Sequence, residues 1–172
     1  MYKFFYIIIF IIFSSNLFAN TYATINFEKI FSKSNAFQKY LSDIEKFKKK
    51  ETKKIEKIEK KLLYEKSQLD ESQFILSEDN FEKKLKIYEN NVIKYQDNIK
   101  DINEKIFNNI ENAKSFLSNE IIIILQDYAI DNNIEIIFDE NNYIVAIKEI
   151  DITNIVIKEV NSKVKEIKIE RL

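Results

Sequence analysis

Apolar side chains between residues 37 and 76 fall on one heptad pattern, in which positions alternate at intervals of three and four residues. The apolar positions are Leu41, Ile44, Ile55, Ile58, Leu62, Leu69 and Leu76. No residue from Phe37 to Leu76 breaks a helix, so the spacing predicts one long amphipathic helix that packs against a partner. Four polar residues are predicted to lie in the same seam, namely Lys48, Glu51, Glu65 and Ser72. Because a tight coiled coil fills such positions with apolar side chains, we expect this seam to be flexible.

A second apolar run begins after a short break in the pattern. Ser77 is predicted to cap a new helix, with Glu78 and Asp79 in its first turn complementing the helix dipole. The apolar positions are Phe81, Leu85, Tyr88, Val92, Tyr95, Ile99, Ile102 and Ile106, then Ile110, Ala113, Leu117, Ile121, Ile124 and Tyr128. The spacing changes after Ile106, and this stutter predicts that the two helices separate near there. Two helices of about 40 and 50 residues would form an antiparallel coiled-coil hairpin, an arm on the order of 60 Å long.

Short alternating segments at both ends of the chain predict three β-strands. The predicted strand faces are Ala23, Ile25 and Phe27; Ile134, Ile136 and Phe138; and Tyr143, Val145 and Ile147. The last two strands are predicted to form a hairpin around the loop from Asp139 to Asn142, with Asn in left-handed conformations there and at Asn132-Asn133. Thr153 is predicted to cap a final amphipathic helix. Three strands this short cannot close a barrel, so we expect several chains to combine them in a shared hub.

Composition then excludes most catalytic chemistry. The 172 residues include no Gly, Pro, Cys or His. Glycine-rich phosphate loops, disulfides, thiolate or imidazole metal sites and histidine-based catalysis are therefore impossible. We expect no enzyme activity and no cofactor. The 27 basic residues nearly balance the 28 acidic ones, and this balance argues against a nucleic-acid-binding protein.

The N-terminus has the features of an export signal. Lys3 precedes an unbroken apolar run from Phe4 to Phe13, and the small residue Ala19 suits signal-peptidase cleavage. We predict a signal peptide over residues 1–19, leaving residues 20–172 as one exported domain. The alternative is an uncleaved membrane anchor, although the run is shorter than the roughly 20 residues that span a bilayer.

Charge is polarised along the predicted molecule. Residues 46–61 carry nine lysines against three glutamates, a net charge of +6, whereas residues 127–151 carry −6. The lysines are Lys46, Lys48, Lys49, Lys50, Lys53, Lys54, Lys57, Lys60 and Lys61. Such a surface would attract acidic unfolded chains or anionic lipid head groups at long range. The alternative is a solvated helix face with no ligand.

Three segments together resemble the OmpH/Skp family of periplasmic chaperones. They are "ATINFEKIFSKSNAFQKYLSDIEKFKKKE" near the N-terminus, "LSEDNFEKKLKIYE" at the hairpin turn, and "IEIIFDENNYIVAIKEIDITNIVIKEVN" near the end. The resemblance spans roughly residues 21–161, in the family's order and spacing.

The resemblance implies an α+β, mostly α, fold and a homotrimer. Residues 20–35 and 132–161 would form a β-body with the nine strand-face residues in the trimer core, and residues 36–131 would form the arm. It also implies a periplasmic holdase, independent of ATP and metal, that binds unfolded outer-membrane proteins between three arms. The clients would bind to the nine lysines. The tail at residues 162–172 could extend the last helix or add a strand. The competing interpretation is an exported coiled-coil scaffold without clients.

Overall fold

The fold of the chain is mostly helical, with two long helices as the sequence predicts, and it contains a small strand pair. The computed structural model describes residues 21–167, so the predicted signal peptide lies outside the described residues. The elements are β1 (Tyr22–Ile25), α1 (Phe27–Lys33), α2 (Asn35–Ser72), α3 (Glu78–Asp131), β2 (Ile136–Asp139) and α4 (Thr153–Lys163), with 3-10 turns at Glu140–Asn142 and Lys148–Ile150. Within residues 21–167, no helix is both long enough and apolar enough to cross a membrane.

Helices α2 and α3 form the predicted antiparallel arm. Ile44, Leu62 and Leu69 of α2 are buried against α3, whereas the α3 seam from Phe81 to Ile106 is only half-buried. Two helices alone cannot enclose a seam on all sides, so its edges remain accessible to water. The arm is about 60 Å long at 1.5 Å per residue of α2.

Polar residues interrupt the arm seam at three of the four predicted positions. The Glu65 carboxylate accepts a 3.0 Å hydrogen bond from the Asn91 side chain of α3, and Ser72 is buried with its hydroxyl donating to the Leu69 carbonyl. The Glu51 side chain is only 12% exposed and pairs with Lys54. The prediction for Lys48 is wrong: Lys48 is exposed, and its neighbour Phe47 is half-buried instead.

The hydrophobic core lies at the base of the arm, where α3 meets all the terminal elements. Ala113, Leu117, Ile121 and Ile124 of α3 join one buried cluster, which also includes Ala23 and Ile25 of β1, Ile30 of α1, Ala36 and Phe37 of α2, and Val156 and Val160 of α4. Leu117 and Ile121 are completely buried. Helices α2 and α3 still touch where the Tyr40 hydroxyl donates to Asn109 at 3.0 Å. C-terminal to Asn109, the apolar side chains of α3 pack in the body rather than in the arm.

The two strands are parallel and adjacent, with Ala23 paired to Ile137 and Thr24 to Phe138. Paired residues in parallel strands point to the same face, so Ala23, Ile25 and Ile137 face the core. Ile136 and Phe138 therefore point to the opposite face. The predicted trimer-core set thus mixes two faces of the sheet. A shift of one residue in the choice of core-facing positions moves every chosen side chain to the other face.

The predicted third strand and its hairpin are wrong. Residues 143–147 form no strand, and the loop before them is a 3-10 turn. A tight hairpin requires residues with positive φ, but among residues 21–167 only Asn133, at 52°, has one. The left-handed conformation predicted at Asn132-Asn133 is therefore confirmed at Asn133 but not at Asn132, and the one predicted in the loop is wrong. At the other edge of β1, Asp151 forms a parallel bridge with Thr24.

Capping at the starts of the helices also differs in detail from prediction. Thr153 is the first residue of α4 rather than its cap, and its buried hydroxyl accepts a 2.8 Å hydrogen bond from the Asn26 amide. The Asp151 carboxylate accepts from the Thr153 amide instead. Ser77 precedes α3 as predicted, but its side chain accepts no hydrogen bond from the helix backbone. Thr153 therefore joins the end of β1 to α4, which holds the body together.

The tail does not extend the last helix beyond Lys163 within the described residues. Helix α4 ends at Lys163, and the backbone of Val164 is extended. Val164 is buried, and Ile167 packs against the core. The first two tail residues complete α4, and residues 164–167 pack on the body without forming a helix or a strand.

Candidate functional site

The lysine-rich segment of α2 presents a continuous basic side. Successive residues turn by about 100° around a helix, so eight of the nine predicted lysines lie within an arc of about 140°. Lys48 is the exception, on another side of α2. All nine are exposed. We call the eight the basic side; they are Lys46, Lys49, Lys50, Lys53, Lys54, Lys57, Lys60 and Lys61.

Most of the basic side carries uncompensated charge. Lys46 pairs with Asp43 at 2.8 Å, Lys54 with Glu51 at 2.6 Å, and Lys61 with Glu65 at 3.4 Å. In the described part of the chain, the other five lysines of the basic side form no ion pair. Their ammonium groups are therefore available to an anionic partner.

Two grooves between the arm helices open next to the basic side. The first, of about 380 Å³, is lined by Ile58, Lys61, Leu62, Glu65, Asn91, Lys94, Tyr95 and Asn98. The second, of about 250 Å³, is lined by Tyr64, Glu65, Gln68, Leu69, Lys84, Ile87 and Tyr88. The α2 lining of each groove extends from the basic side to the seam, from Lys61 to Leu62 in the first groove and from Tyr64 to Leu69 in the second. An apolar side chain seated in either groove would lie beside lysines.

Two exposed apolar side chains in this region were not predicted. Tyr64 is 66% exposed and Ile87 is 62% exposed, and both line the second groove. Tyr64 follows Lys57, Lys60 and Lys61 at helical spacings of seven, four and three residues, so it continues the basic side. Its position outside the heptad seam was the signal in the sequence that could have identified it.

The nine predicted trimer-core residues fall into three groups. Ala23 and Ile25 are buried inside their own chain, and Phe27 and Ile134 pack against the same core. Tyr143 is half-buried. Ile136, Phe138, Val145 and Ile147 are 46%, 40%, 86% and 65% exposed. Ile144, which was not predicted, is fully exposed.

Two exposed members of that set, Ile136 and Phe138, lie beside Tyr22 of β1. The Tyr22 and Phe138 rings are 6.2 Å apart, and Tyr22 pairs with Ile136 across the strands. We call Tyr22, Ile136, Phe138 and the segment 143–147 the apolar body surface. Exposed apolar patches of this kind are typical of protein contacts.

Two ionisable groups near the base of the arm have shifted pKa values. A hydrogen bond from Lys46, together with the charge of that lysine, lowers the pKa of the Asp43 carboxyl. Burial raises the pKa of the Tyr40 phenol. Both shifts accompany packing or ion pairing, and neither residue has a catalytic partner beside it. Among the described residues, no cluster of carboxylates could hold a metal ion.

Comparisons with known proteins agree with this architecture. A family model described as "Outer membrane protein (OmpH-like)" matches residues 21–160. The crystal structure of a protein described as an OmpH-like outer membrane chaperone from Caulobacter crescentus CB15 superposes with a TM-score of 0.77 at 13% sequence identity, covering 87% of this chain and 89% of that one. No curated protein matches this chain significantly. The match of the family model over residues 21–160 shows that the chain belongs to the OmpH-like family.

Proposed function

We propose that this protein is an ATP-independent holdase of the periplasm that keeps unfolded outer-membrane proteins soluble. The similar Caulobacter protein is described as an outer membrane chaperone, which supports a chaperone role. The signal predicted at residues 1–19 would direct export, with cleavage after Ala19. No catalytic step is needed for holding a client.

The basic side and its adjoining grooves carry this proposal. Unfolded clients expose apolar side chains, and those with acidic segments would be attracted to the uncompensated lysines. The second groove, lined by Tyr64 and Ile87, offers apolar contact beside that charge. A shallow, half-open seam can accept many side chains weakly, and this suits clients without a fixed shape. The same lysines could contact anionic lipid head groups at the membrane surface.

The apolar body surface supports a homotrimer as the working form. Within residues 21–167, segment 143–147 pairs with no strand, and Ile144 and Val145 are fully or almost fully exposed. An unpaired segment with exposed apolar side chains can pair with a neighbouring chain's sheet edge. Three chains joined in this way would surround a cavity with their arms. The buried Ala23 and Ile25 would then support the interface from within each chain.

The direct test is aggregation of a urea-unfolded outer-membrane β-barrel protein on dilution, with and without residues 20–172. Scattering at 350 nm follows aggregation, and sedimentation equilibrium gives the mass of the chain. We expect suppression without nucleotide at about three chains per client, together with a trimeric mass. A well-folded trimer that fails to suppress aggregation would leave an exported scaffold as the better account.

Two matched variants assign the activity to the basic side. Lys53→Gln/Lys57→Gln removes two charges from it, and Lys48→Gln/Lys66→Gln removes two from another side of α2. We expect the first variant to need several-fold more chaperone for equal protection, whereas the second behaves like the wild type. Equal loss in both would mean that net charge, rather than this side of the arm, attracts the client.

The body interface is tested separately with Val145→Asp. This substitution should convert trimers to single chains with unchanged helix content, since Val145 is 86% exposed in the single chain. Ile93→Asp, on the arm, should leave the mass unchanged. A trimer that survives Val145→Asp would place the interface elsewhere.

A further inference from the structure

The arm ends in an apolar tip that no other part of residues 21–167 covers. Phe74 and Ile75 lie in the turn between α2 and α3 and are 88% and 81% exposed. Two adjacent large apolar side chains at the far end of an arm are costly to leave in water. Scattered apolar residues are common on surfaces, but an exposed pair on a held turn is typical of a contact site.

Hydrogen bonds hold this turn in a conformation that exposes the pair. The Ser72 carbonyl accepts from the Ile75 amide at 3.2 Å and from the Leu76 amide at 3.0 Å. The buried Ser72 hydroxyl donates to the Leu69 carbonyl at 2.8 Å. Phe74 and Ile75 therefore project from a fixed turn and do not fold back onto the seam.

The charge around the tip is opposite to that of the basic side. Residues 70–82 contain five acidic residues and no lysine or arginine, a net charge of −5. They are Asp70, Glu71, Glu78, Asp79 and Glu82. The basic side lies within residues 46–61, whose net charge is +6. The tip thus combines apolar side chains with negative charge, which is the chemistry that the basic side is proposed to bind in clients.

A tip cannot reach the basic side of its own arm. Lys61 and Phe74 are separated by roughly 20 Å along a straight helix. A second copy has no such restriction. Two arms lying antiparallel would place each tip against the other's basic side, a contact that is identical in both directions, as a two-fold interface requires.

We propose that the tip of one copy docks on the basic side of another, so that the protein occupies its own client-binding surface when no client is present. This inference rests on the proposed function, since it takes the basic side to be the client site. Opposite charges bring the arms together, and Phe74 and Ile75 enter the grooves beside the lysines. An acidic, apolar client then displaces the tip. The contact regulates the holdase by competition.

The test measures the mass of residues 20–172 by sedimentation velocity at 25 and 500 mM NaCl. We expect a species of twice the basic assembly's mass at low salt, at least ten-fold less of it at high salt, and its loss when unfolded client is added. Phe74→Ser/Ile75→Ser should abolish the species. The control Leu63→Ser/Ile93→Ser, which removes exposed apolar side chains from the middle of the arm, should retain it.

Charge exchange makes the test specific to the two surfaces. One variant converts Asp70, Glu71, Asp79 and Glu82 to Lys, and the other converts Lys49, Lys53, Lys57 and Lys60 to Glu. Neither should self-associate, but an equimolar mixture should recover the doubled species, because both contacts then pair opposite charges. Circular dichroism checks that both variants retain their helices.

Several results would overturn the proposal. The first is a sedimenting mass that does not change with salt. The second is a doubled species that still forms in Phe74→Ser/Ile75→Ser. The third is a charge-exchange mixture that forms no doubled species. A different result would assign the tip to membranes instead: the wild type forms no doubled species and binds dioleoylphosphatidylglycerol vesicles, whereas Phe74→Ser/Ile75→Ser does not bind them. Aggregation suppression tests the proposed function separately. If the protein suppresses aggregation but forms no doubled species, only the tip proposal is wrong. A tip variant that suppresses aggregation at lower chaperone concentration supports the competition.

Discussion

The body and the arm of this protein share the two long helices α2 and α3 but pack in different ways. In the body, Leu117, Ile121 and Val160 are fully buried among β1, α1 and α4. In the arm, the seam of α3 is half-buried and faces only α2. A helix covered on several sides excludes water, whereas a two-helix seam cannot. The comparison indicates that stability is concentrated in the body and that adaptability is concentrated in the arm.

The largest expected effect follows from truncating a core residue in each region. Leu117→Ala in the body should lower the free energy of unfolding by about 3 kcal/mol, because it removes a fully buried side chain and leaves a cavity. Ile99→Ala in the arm should cost about 1 kcal/mol, since its side chain is half in water. Urea unfolding followed by circular dichroism, at one fixed chain concentration, measures both. Equal costs would contradict the division between body and arm.

A smaller effect, of opposite sign, is expected from making the arm seam apolar. Glu65→Leu should stabilise the arm by about 1 kcal/mol through added apolar burial, slowing amide exchange in the surrounding turns of α2 and α3 on the order of five-fold. Glu59→Leu, at an exposed position of the same helix, should leave exchange unchanged. A stiffer arm should also protect a narrower range of client sizes. Unchanged exchange in Glu65→Leu would show that the polar seam does not control arm flexibility.

The smallest expected effect lies at the junction of the two regions. Tyr40→Phe removes the hydroxyl that donates to Asn109 and should cost about 1 kcal/mol or less. Burial raises the pKa of Tyr40 in the folded protein, so folding favours the neutral phenol. The contribution is therefore fully present below the unfolded-state pKa and is lost as pH rises through the folded-state pKa. The stability difference between wild type and Tyr40→Phe should shrink above pH 10, and a constant difference would contradict this reading.

The two regions also differ in how well sequence patterns predicted them. The arm was predicted almost residue by residue, because each seam position depends on neighbours three and four residues away on the same helix. The error at Lys48 is local, since a shift of one residue within the heptad pattern moves Phe47 towards the seam. The body was predicted less well. Alternation identified the apolar residues of the strands but not which face meets the core.

The candidate site likewise has one part that the sequence predicted and one part that it did not. The charge of the basic side is visible in the sequence, and helix periodicity places eight of its lysines together. The grooves are not visible there, because they depend on how α2 and α3 approach each other around Asn91 and Glu65. Tyr64 and Ile87 line a common groove only because the two helices approach each other in this way.

The sequence by itself determined the helical hairpin, the charge polarity and the absence of histidine, cysteine and glycine chemistry. These properties depend on residue identity and short-range spacing alone. Only the tertiary structure decided that β1 and β2 are parallel, that residues 143–147 form no strand, and that Thr153 bonds to Asn26 across the body. The physical reason is that strand pairing joins residues more than a hundred positions apart, and local periodicity contains no information about which edge a distant segment will occupy.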